Sequence, residues 1–342
     1  MLRHAALSLA ALFVLPLMAG EGFRWKVDAA DERLRPDMPE AYSMGGIAWV
    51  SNDVYWTVTD EKHRPVVWEL ELPVESVAGK LCGCQMKMLC RPEKAVDVEA
   101  IARDPLDGSI WLADERKGEI RQYDPITGKR LAGQVALPKS MGNARRDFGL
   151  ESLAISRDGL TMWTCSEEAL ELDGPLSTRK CGTDVRLTCL KRESVSNEWT
   201  AAGQWVYRTD PIVGKKYCDS KGEEMTRSGI SELCILDDGT LLVLEREFSV
   251  VLVPRIRCRI YETDFSMATE VLGRATLQGE PVPVAVGKKL LHESTGFAMY
   301  EGLCVGQELS GGARVLMLVS DGDDKTFRSV MSLRLTPRST MK

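Results

Sequence analysis

The sequence predicts an all-β protein, a β-propeller of five or six four-stranded blades around a central channel. Helical periodicity is almost absent, and short apolar runs with strand periodicity are separated by glycine-containing turns. One hairpin pattern also recurs along the chain, and repeated units of four short antiparallel strands are the signature of propeller blades. A β-sandwich is the alternative, but it does not explain why successive units open with the same acidic residue.

The clearest copy of the hairpin spans residues 149–168. Its first half alternates large apolar and small residues, the segment 157–159 is a turn signal, and a second β-prone run follows. The two open ends of a hairpin meet. We therefore expect Glu151, near the start of the first strand, and Glu167, at the end of the second, to lie close together on one rim.

Three further copies cover residues 97–116, 229–246 and 300–321, and a weaker copy at 45–62 has Gly46 where the others have glutamate. Five blades are therefore readable. A sixth blade could lie in the longer spacings between copies, or it could be completed by the N-terminal strand pairing with the C-terminal strand.

The outer strands of each unit are predicted from shorter apolar runs that polar insertions separate. The segment 73–92 is expected to be irregular. In chain order, the expected strands outside the hairpins are 23–27, 66–72, 119–123, 130–137, 184–191, 204–208, either 249–253 or 257–261, then 270–277 and 327–335.

Composition restricts the class of partner. The 342 residues are ample for a sizeable core, and they fit one large β domain or two ordinary ones. The formal net charge of −6 leaves no basic surplus to neutralise phosphates, so we expect no nucleic-acid partner. We expect instead a monomer that takes a small anionic substrate or ligand.

Residues 1–20 are expected to be a signal peptide. A short polar start precedes an apolar run at 5–17, and small residues at 18–20 suit cleavage. A membrane anchor is the alternative, but the run is short for a bilayer, and no later run is long enough to span one. We therefore expect residues 21–342 to form a single domain, secreted or periplasmic, without a stable membrane span.

All ten cysteines follow the signal segment, and an even number in an exported chain permits disulfides. Cys234 and Cys304 fall in predicted inner strands, so we expect them to be buried. The candidate disulfide partners lie in two loops, with Cys82, Cys84 and Cys90 in the first and Cys181, Cys189 and Cys218 in the second. A metal cluster is an alternative for the first of these loops.

Acidic residues mark the ends of the hairpin strands. In a propeller the first strand of each blade lines the channel, so the strand starts converge on one face. The acids there should form an inner ring, and those at the ends of the second strands should form an outer ring. The inner ring is Glu99, Glu151, Glu232 and Glu301, and the outer ring is Asp60, Asp114, Glu167, Glu245 and Asp321.

Carboxylates this close together raise one another's pKa unless a cation binds them. We predict Ca²⁺, a hard ion that takes oxygen ligands, whereas zinc is disfavoured because only His63 and His292 follow the signal segment. The predicted metal ligands are Glu99, Glu151, Glu232, Glu301, Asp60, Asp114 and Asp321.

Two alternatives to a metal site stay open. The inner glutamates could accept backbone N–H groups from the neighbouring blade, or they could act as acids and bases without a metal. The candidate catalytic residues are Glu151, Glu232 and His63. No G-x-S-x-G motif, phosphate-binding loop or dinucleotide fingerprint is present.

Basic residues follow several of the outer-ring acids. Beside a cation site they could hold an anionic substrate such as a phosphate ester, whereas surface ion pairing is the plainer alternative. The candidate substrate-binding residues are Lys62, Arg116, Arg246 and Lys325.

Six short segments carry a family resemblance, and together they extend over roughly residues 45–335. They are Asp97-Val-Glu-Ala-Ile, Gly149-Leu-Glu-Ser-Leu, Gly229-Ile-Ser-Glu-Leu, Leu244-Glu-Arg, Tyr300-Glu-Gly-Leu and Val319-Ser-Asp. In their order and number they resemble the phytase-like domain family, also called the domain with esterase-like activity of phytase. The resemblance implies an exported β-propeller that hydrolyses phosphate esters or other esters.

Three hypotheses about function follow. The first is a calcium-dependent hydrolase of phosphate or carboxylic esters, in which the basic residues hold the anion. The second is a non-catalytic propeller that binds a ligand or partner, with calcium as a structural element. The third is a lactonase-like propeller with a neutral substrate. The basic residues favour the first over the third, and nothing in the sequence separates the first from the second.

Overall fold

The structure is a computed structural model that describes residues 23–34, 43–59, 64–145, 148–195, 198–218, 221–222, 224, 226–250, 254–322 and 328–338. Within these residues the chain forms 20 β-strands and one short 3-10 helix at Lys139–Asn143. No helix in this part of the chain is both long and apolar enough to cross a membrane.

The strands form five antiparallel sheets of four strands each, which confirms the predicted all-β propeller and sets the blade number at five.

In each blade the first strand given below is the innermost. Blade 1 contains β2 (Met44–Ser51), β3 (Val54–Thr59), β4 (Val66–Glu71) and β5 (Gln85–Cys90). Blade 2 contains β6 (Val98–Arg103), β7 (Ile110–Asp114), β8 (Glu119–Tyr123) and β9 (Arg130–Gln134). Blade 3 contains β10 (Leu150–Ile155), β11 (Thr161–Ser166), β12 (Asp184–Lys191) and β13 (Thr200–Arg208). Blade 4 contains β14 (Arg227–Ile235), β15 (Leu241–Val250), β16 (Pro254–Asp264) and β17 (Gly287–Gly296). Blade 5 contains β18 (Met299–Glu308), β19 (Arg314–Asp321), β20 (Val330–Pro337) and β1 (Trp25–Leu34).

The N-terminal strand completes the last blade. β1 pairs antiparallel with β20, from Trp25 opposite Pro337 to Leu34 opposite Val330. The carboxylate of Glu262 in blade 4 also accepts the backbone N–H groups of Arg24 and Trp25, at 2.6 and 3.1 Å. The predicted pairing of the two terminal strands is therefore present, and it closes the fifth blade instead of adding a sixth.

Apolar side chains fill the space between each pair of neighbouring blades. The inner strands β2, β6, β10, β14 and β18 contact one another in a closed ring. Successive residues of a strand point to opposite faces, so Leu153 packs against blade 2 whereas Ala154 packs against blade 4. Each inner strand is thus buried on both faces, which explains its near-continuous apolar sequence.

Two outer-strand predictions were wrong. The segment 270–277 is not a strand; the outermost strand of blade 4 is β17, from Gly287 to Gly296. Gly273 has a positive φ of 89°, which a strand does not allow. The segment 73–92 was expected to be irregular, yet it contains β5, a half-exposed strand that lacks the apolar alternation that predicts a strand.

Buried ion pairs hold the insertions of blade 3 in place. Arg192 lies 2.7 Å from Asp104 of blade 2, and both side chains are almost completely buried. Arg192 also stacks on Trp199, with 4.3 Å between its Cζ and the ring centre. Such a pair fixes the packing of two blades, because either charge would be left buried and uncompensated if the other were removed.

We expect Asp104→Asn to lower the free energy of unfolding by roughly 3–5 kcal/mol, because it leaves the Arg192 guanidinium buried without its counter-charge. Urea unfolding of the purified chain measures this. Asp184→Asn is the matched control, since its partner Arg208 is half exposed, and it should cost less than about 1 kcal/mol. Equal losses in the two variants would contradict the role given to the buried pair.

Candidate functional site

The inner strands carry a β-bulge at one mouth of the channel. In β10 the pairing with β11 shifts between Leu150 and Ser152, so Glu151 has no residue opposite it. The same shift leaves Glu99 in β6 and Glu301 in β18 as bulged residues. A bulge redirects its side chain relative to the strand. The three glutamates therefore occupy equivalent positions at this mouth, as predicted.

Blade 4 departs from the predicted inner ring by one residue. In β14 the pairing with β15 shifts between Ile230 and Glu232, so Ser231 is the bulged residue. Ser231 donates its hydroxyl proton to the backbone oxygen of Tyr300 at 3.2 Å. Glu232 instead corresponds to Ser152 of blade 3, because a shift of one residue turns a strand side chain to the other face.

The outer ring differs from the prediction in the same way. Leu150 is opposite Ser166 and Ile230 is opposite Glu245, so the residues that follow at the mouth are Glu167 and Arg246. By the same reasoning the residue in blade 2 is Glu115, not Asp114, and blade 5 places Asp321 there. The second strands of blades 2 to 5 therefore contribute Glu115, Glu167, Arg246 and Asp321.

Asp114 and Glu245 have other partners. Asp114 accepts the backbone N–H groups of Val96 and Lys117, at 2.9 and 3.1 Å, which fixes the turn after β7. Glu245 accepts a hydrogen bond of 2.7 Å from the hydroxyl of Tyr207 and one of 2.6 Å from the ammonium of Lys288. Both carboxylates are buried and hydrogen-bonded away from the mouth.

Arg246 lies at the centre of the acidic mouth. Its Nη2 is 3.0 Å from Glu167 Oε1 and 3.7 Å from Glu151 Oε1. Its Nε is 3.1 Å from Glu301 Oε1, an ion-pair distance without the alignment of a hydrogen bond. The Arg246 side chain is 15% exposed, and the three carboxylate side chains are 6–11% exposed. One guanidinium from blade 4 therefore joins two carboxylates of blade 3 to one of blade 5.

Burial dominates the electrostatics of the mouth. Desolvation raises the pKa of Glu151 well above its usual range, and Glu167 and Glu99 raise it further. Desolvation raises the pKa of Glu301 to about 8, although Arg246 acts in the opposite direction. The pKa of Glu167 is also raised by burial, and Arg246 lowers it in part. At neutral pH Glu301 therefore retains its proton, and burial favours the neutral form of Glu151 and Glu167 as well.

The side chain of Glu232 extends across the channel, farther inside than the mouth. Its Oε1 accepts the backbone N–H of Leu153 in blade 3 at 3.1 Å and that of Leu233 at 3.0 Å. Its Oε2 is buried and has no hydrogen-bond partner among the described residues. A Cβ at Gly46 would come within 3.0 Å of that oxygen, so glycine leaves the space that the carboxyl group fills. Burial raises the pKa of Glu232 well above its usual range.

Two acidic residues of this region were missed. Glu115 Oε1 accepts the backbone N–H of Gly149 at 2.6 Å, and Glu115 raises the pKa of Glu301. Glu168 follows Glu167, and burial raises its pKa to about 7; its Oε2 accepts the Ser177 N–H at 2.8 Å. In each case the sequence shows two adjacent acidic residues, Asp114-Glu115 and Glu167-Glu168. Only the strand register shows which residue of each pair faces the mouth.

The remaining predicted residues are distributed as follows. Arg116 is 56% exposed, and its guanidinium lies 3.9 Å from the carboxylate of Asp97. His292 lies in β17, the outermost strand of blade 4. Four predicted site residues, namely Asp60, Lys62, His63 and Lys325, lie outside the described residues.

None of the ten cysteines is in a disulfide in this structure. Cys234 and Cys304 are buried in their inner strands, as predicted. Cys90 and Cys189 are also buried, each in an apolar cluster between blades. Among the proposed disulfide partners, the more accessible thiols are those of Cys82, Cys84, Cys181 and Cys218.

As the side chains stand, no three histidine, cysteine, aspartate or glutamate residues in the described part of the chain are arranged to hold a metal ion. Arg246 lies where the carboxylates of Glu151, Glu167 and Glu301 converge. A cation at this point would require the guanidinium to move away from at least one carboxylate, because like charges repel.

Comparison with known proteins identifies the family. Residues 41–324 match the model of the phytase-like family, described as "Esterase-like activity of phytase". The chain belongs to the phytase-like family. This confirms the resemblance carried by the six sequence motifs. The comparison with curated proteins finds no match.

Three solved structures illustrate the similarity of this phytase-like chain to other proteins. Hydrazine synthase of Kuenenia stuttgartiensis is 13% identical, with a TM-score of 0.35; the match covers 84% of this chain and 58% of that one. Streptogramin B lyase is 11% identical, with a TM-score of 0.32, and covers 92% and 98% of the two chains. The tail fibre of Staphylococcus aureus phage P68 is 10% identical, with a TM-score of 0.38, and covers 87% and 50%.

Glu301 should make stability depend on pH. Its pKa is about 8 in the folded chain against 4.5 as its ordinary value, so between these values the folded state binds more protons than the unfolded state. The free energy of unfolding should therefore fall as pH rises from about 4.5 to 8, by at most about 1.4 kcal/mol per pH unit for this group. Urea unfolding at a series of pH values measures the slope. Glu301→Gln should have a shallower slope, and an unchanged slope would contradict the assignment.

Arg246→Gln should destabilise the chain most at alkaline pH. At about pH 8 we expect a loss of roughly 3–5 kcal/mol in the free energy of unfolding, because buried carboxylates lose their counter-charge. At about pH 5 the loss should be smaller, since the carboxyl groups with raised pKa then hold protons. Thermal and urea unfolding at both pH values measure it. Arg116→Gln, the exposed control, should change stability by less than about 0.5 kcal/mol at either pH.

Proposed function

We propose that this chain is a hydrolase of phosphate or other esters that uses a divalent cation, Ca²⁺, at the acidic channel mouth. One observation carries the proposal. Arg246 is the partner of three buried carboxylates at once, and further carboxyl groups from the bulges and strand ends surround it. The mouth thus gathers more carboxyl groups than one guanidinium can pair with, and a bound cation would offset the desolvation that keeps some of them protonated.

The donor chemistry of the mouth fits calcium. Ca²⁺ takes six to eight oxygen ligands and tolerates flexible geometry. Blades 2, 3 and 5 each contribute one carboxylate from the inner strand and one from the second strand. The residues that would hold the ion are drawn from Glu99, Glu115, Glu151, Glu167 and Asp321. When bound, the ion would supply a Lewis acid for the ester oxygen and would lower the pKa of a bound water.

The chain's own residues would do the remaining work. Glu301, with a pKa of about 8, holds a proton at neutral pH and can donate it to a leaving-group oxygen. Glu151 lies across Arg246 from Glu301, and as a ligand of the ion it would be ionised, so the two carboxyl groups would differ in protonation state and could serve as base and acid. The Arg246 guanidinium is positioned to donate hydrogen bonds to an anionic oxygen of the substrate.

Glu232 has a supporting part in this proposal. Its Oε1 accepts two backbone N–H groups, and the bond from Leu153 ties blade 3 to the neighbouring blade 4. It therefore positions the inner strands and does not touch the substrate. The proposal also includes export, in which residues 1–20 direct the chain to the periplasm or the exterior and are then removed.

A second candidate is a non-catalytic propeller that binds a ligand at the same mouth, with structural calcium. It is favoured by the three ion pairs of Arg246, because a guanidinium already bound by carboxylates contributes less to substrate binding. A lactonase-like reaction on a neutral ester would use the same carboxyl groups and would not need the guanidinium.

Calorimetric titration with Ca²⁺ tests the proposal, together with assays of an aryl phosphate, an aryl acetate and a neutral lactone. We expect the wild-type chain to bind Ca²⁺ and to hydrolyse the aryl phosphate or the aryl acetate in a calcium-dependent way. Glu151→Gln should lose both properties, by at least about tenfold. Glu232→Gln should retain calcium binding, because Glu232 lies one residue beyond the bulged position of its strand. Glu119→Gln in the outer strand β8 is the control for a general loss of negative charge.

Each other outcome selects an alternative. Calcium binding without turnover of any ester would favour the non-catalytic propeller. Turnover of the lactone alone would favour the lactonase-like reaction. No calcium binding, or binding that Glu151→Gln retains and Glu232→Gln loses, would overturn the assignment of the mouth.

A further inference from the structure

A second cavity opens at the other end of the channel. It is enclosed by the central and C-terminal parts of the five inner strands, beyond the point where Glu232 crosses. Its volume is about 140 Å³, which is enough for roughly five water molecules at about 30 Å³ each. The catalytic proposal above does not use this space, because the acidic mouth lies at the opposite ends of the same strands.

The wall of this cavity is mixed, with polar and apolar surface in similar amounts. Each blade contributes a pair of successive residues of its inner strand, and the first members of these pairs are Ile47, Ile101, Leu153, Leu233 and Leu303. These side chains are largely buried between the blades, so the inner strands also present backbone N–H and C=O groups to the cavity. Burial raises the pKa of the thiol of Cys234 to about 12, so it is uncharged and behaves as a small apolar group. The apolar part of such a wall can hold a short alkyl group.

The rim of the cavity is basic. Arg157 of blade 3 reaches across it, with its Cζ 5.0 Å from the ring centre of Trp49 in blade 1 and its Nη1 3.1 Å from Asp237 Oδ2 in blade 4. Arg103 also lines the cavity, and its Nε is buried without a hydrogen-bond partner among the described residues. A donor of this kind marks a place for an acceptor.

The ion pair of Arg157 is exchangeable. The Arg157 and Asp237 side chains are 49% and 44% exposed, and a pair that exposed contributes little stability. Asp237 has a second partner, because Arg314 Nη1 lies 2.8 Å from the same Oδ2 and its side chain is only 9% exposed. Arg157 can therefore leave Asp237 for another carboxylate without leaving Asp237 unpaired.

We propose that this cavity binds a small monocarboxylate with an apolar body of up to about six non-hydrogen atoms. The apolar body lies against the inner strands. The carboxylate takes the place of Asp237 as the partner of Arg157 and accepts a hydrogen bond from Arg103. Trp49 covers the ligand at the rim.

Hexanoate is the probe for this site, and hexanamide is its neutral counterpart of the same shape. The reporter is the indole N–H resonance of Trp49 in a proton–nitrogen correlation spectrum of the full chain, assigned with Trp49→Phe. We expect hexanoate to shift this resonance in a saturable way and hexanamide to bind at least about tenfold more weakly. Across acetate, butyrate and hexanoate the affinity should rise with each added methylene, by at most roughly three- to fourfold per methylene.

Four variants separate the charge at this rim from a general effect. Arg157→Gln and Arg103→Gln should each weaken hexanoate binding by about tenfold. Asp237→Asn should strengthen binding severalfold, because it removes the acceptor that competes for Arg157. Glu301→Gln, at the acidic mouth, should leave hexanoate binding unchanged.

Three results would overturn the inference. The first is that hexanoate fails to shift the Trp49 resonance up to its solubility limit. The second is that hexanamide binds as tightly as hexanoate, which would mean that the rim does not recognise charge. The third is that Glu301→Gln abolishes hexanoate binding while Arg157→Gln preserves it, which would place the ligand at the other end of the channel.

Discussion

The close approach of five inner strands around one axis is the constraint on which the acidic mouth depends. A Cβ at Gly45 would lie 2.6 Å from the backbone oxygen of Glu99, and a Cβ at Gly302 would lie 2.6 Å from the backbone oxygen of Gly45. Side chains at these glycines would push the blades apart, so the ring closes only with glycine there. The closed ring excludes water, and desolvation is in consequence the largest cause of the raised pKa of Glu151 and Glu301. Carboxyl groups persist in such a place because Arg246 is buried beside them and because some of them stay protonated.

The fold was predictable because its signal is periodic and repeated. An inner strand buried on both faces reads as a continuous apolar run, and a turn with glycine follows it in most of the blades. The closure by the N-terminal strand was one of two possibilities that the repeat left open. The outer strands were harder to predict, because a half-exposed strand such as β5 needs little apolar alternation. The segment 270–277 was misread for the opposite reason, because it carries apolar residues that pack on blade 3 without forming a strand. The buried Val271 donates its backbone N–H to the backbone oxygen of Gln204.

The positions of the described residues at the mouth were predictable to within one residue along each strand, and the geometry of a strand explains this limit. Side chains of a strand alternate between two faces, so a single bulge decides whether Ser231 or Glu232 reaches the mouth. Nothing in the composition of a strand marks where its bulge lies. The same ambiguity affected the second strands, where Glu115 and not Asp114 occupies the mouth. Arg246 was found by sequence as a substrate-binding candidate, but its three carboxylate partners come from blades that are far apart in the chain, and only the closed ring brings them together.

The two ends of the channel carry opposite charge, and the chain between them is long enough to keep them nearly independent. Glu151 and Arg157 lie six residues apart on one strand and its turn, which corresponds to roughly 20 Å at about 3.3 Å per residue. Two unit charges at that separation interact by only about 0.8 kcal/mol at an effective dielectric constant near 20, and salt reduces this further at the solvent-exposed rim. Glu232 adds little to the coupling, since burial raises its pKa and so favours its neutral form. A divalent cation at the acidic mouth and a carboxylate at the arginine rim would interact by about twice the energy of two unit charges, about 1.7 kcal/mol. They would therefore favour each other's binding by a factor of about 17 at most without screening, and by much less in physiological salt. The channel can thus keep two recognition sites of opposite charge on one set of strands, because a strand places charge at its ends and apolar residues between them.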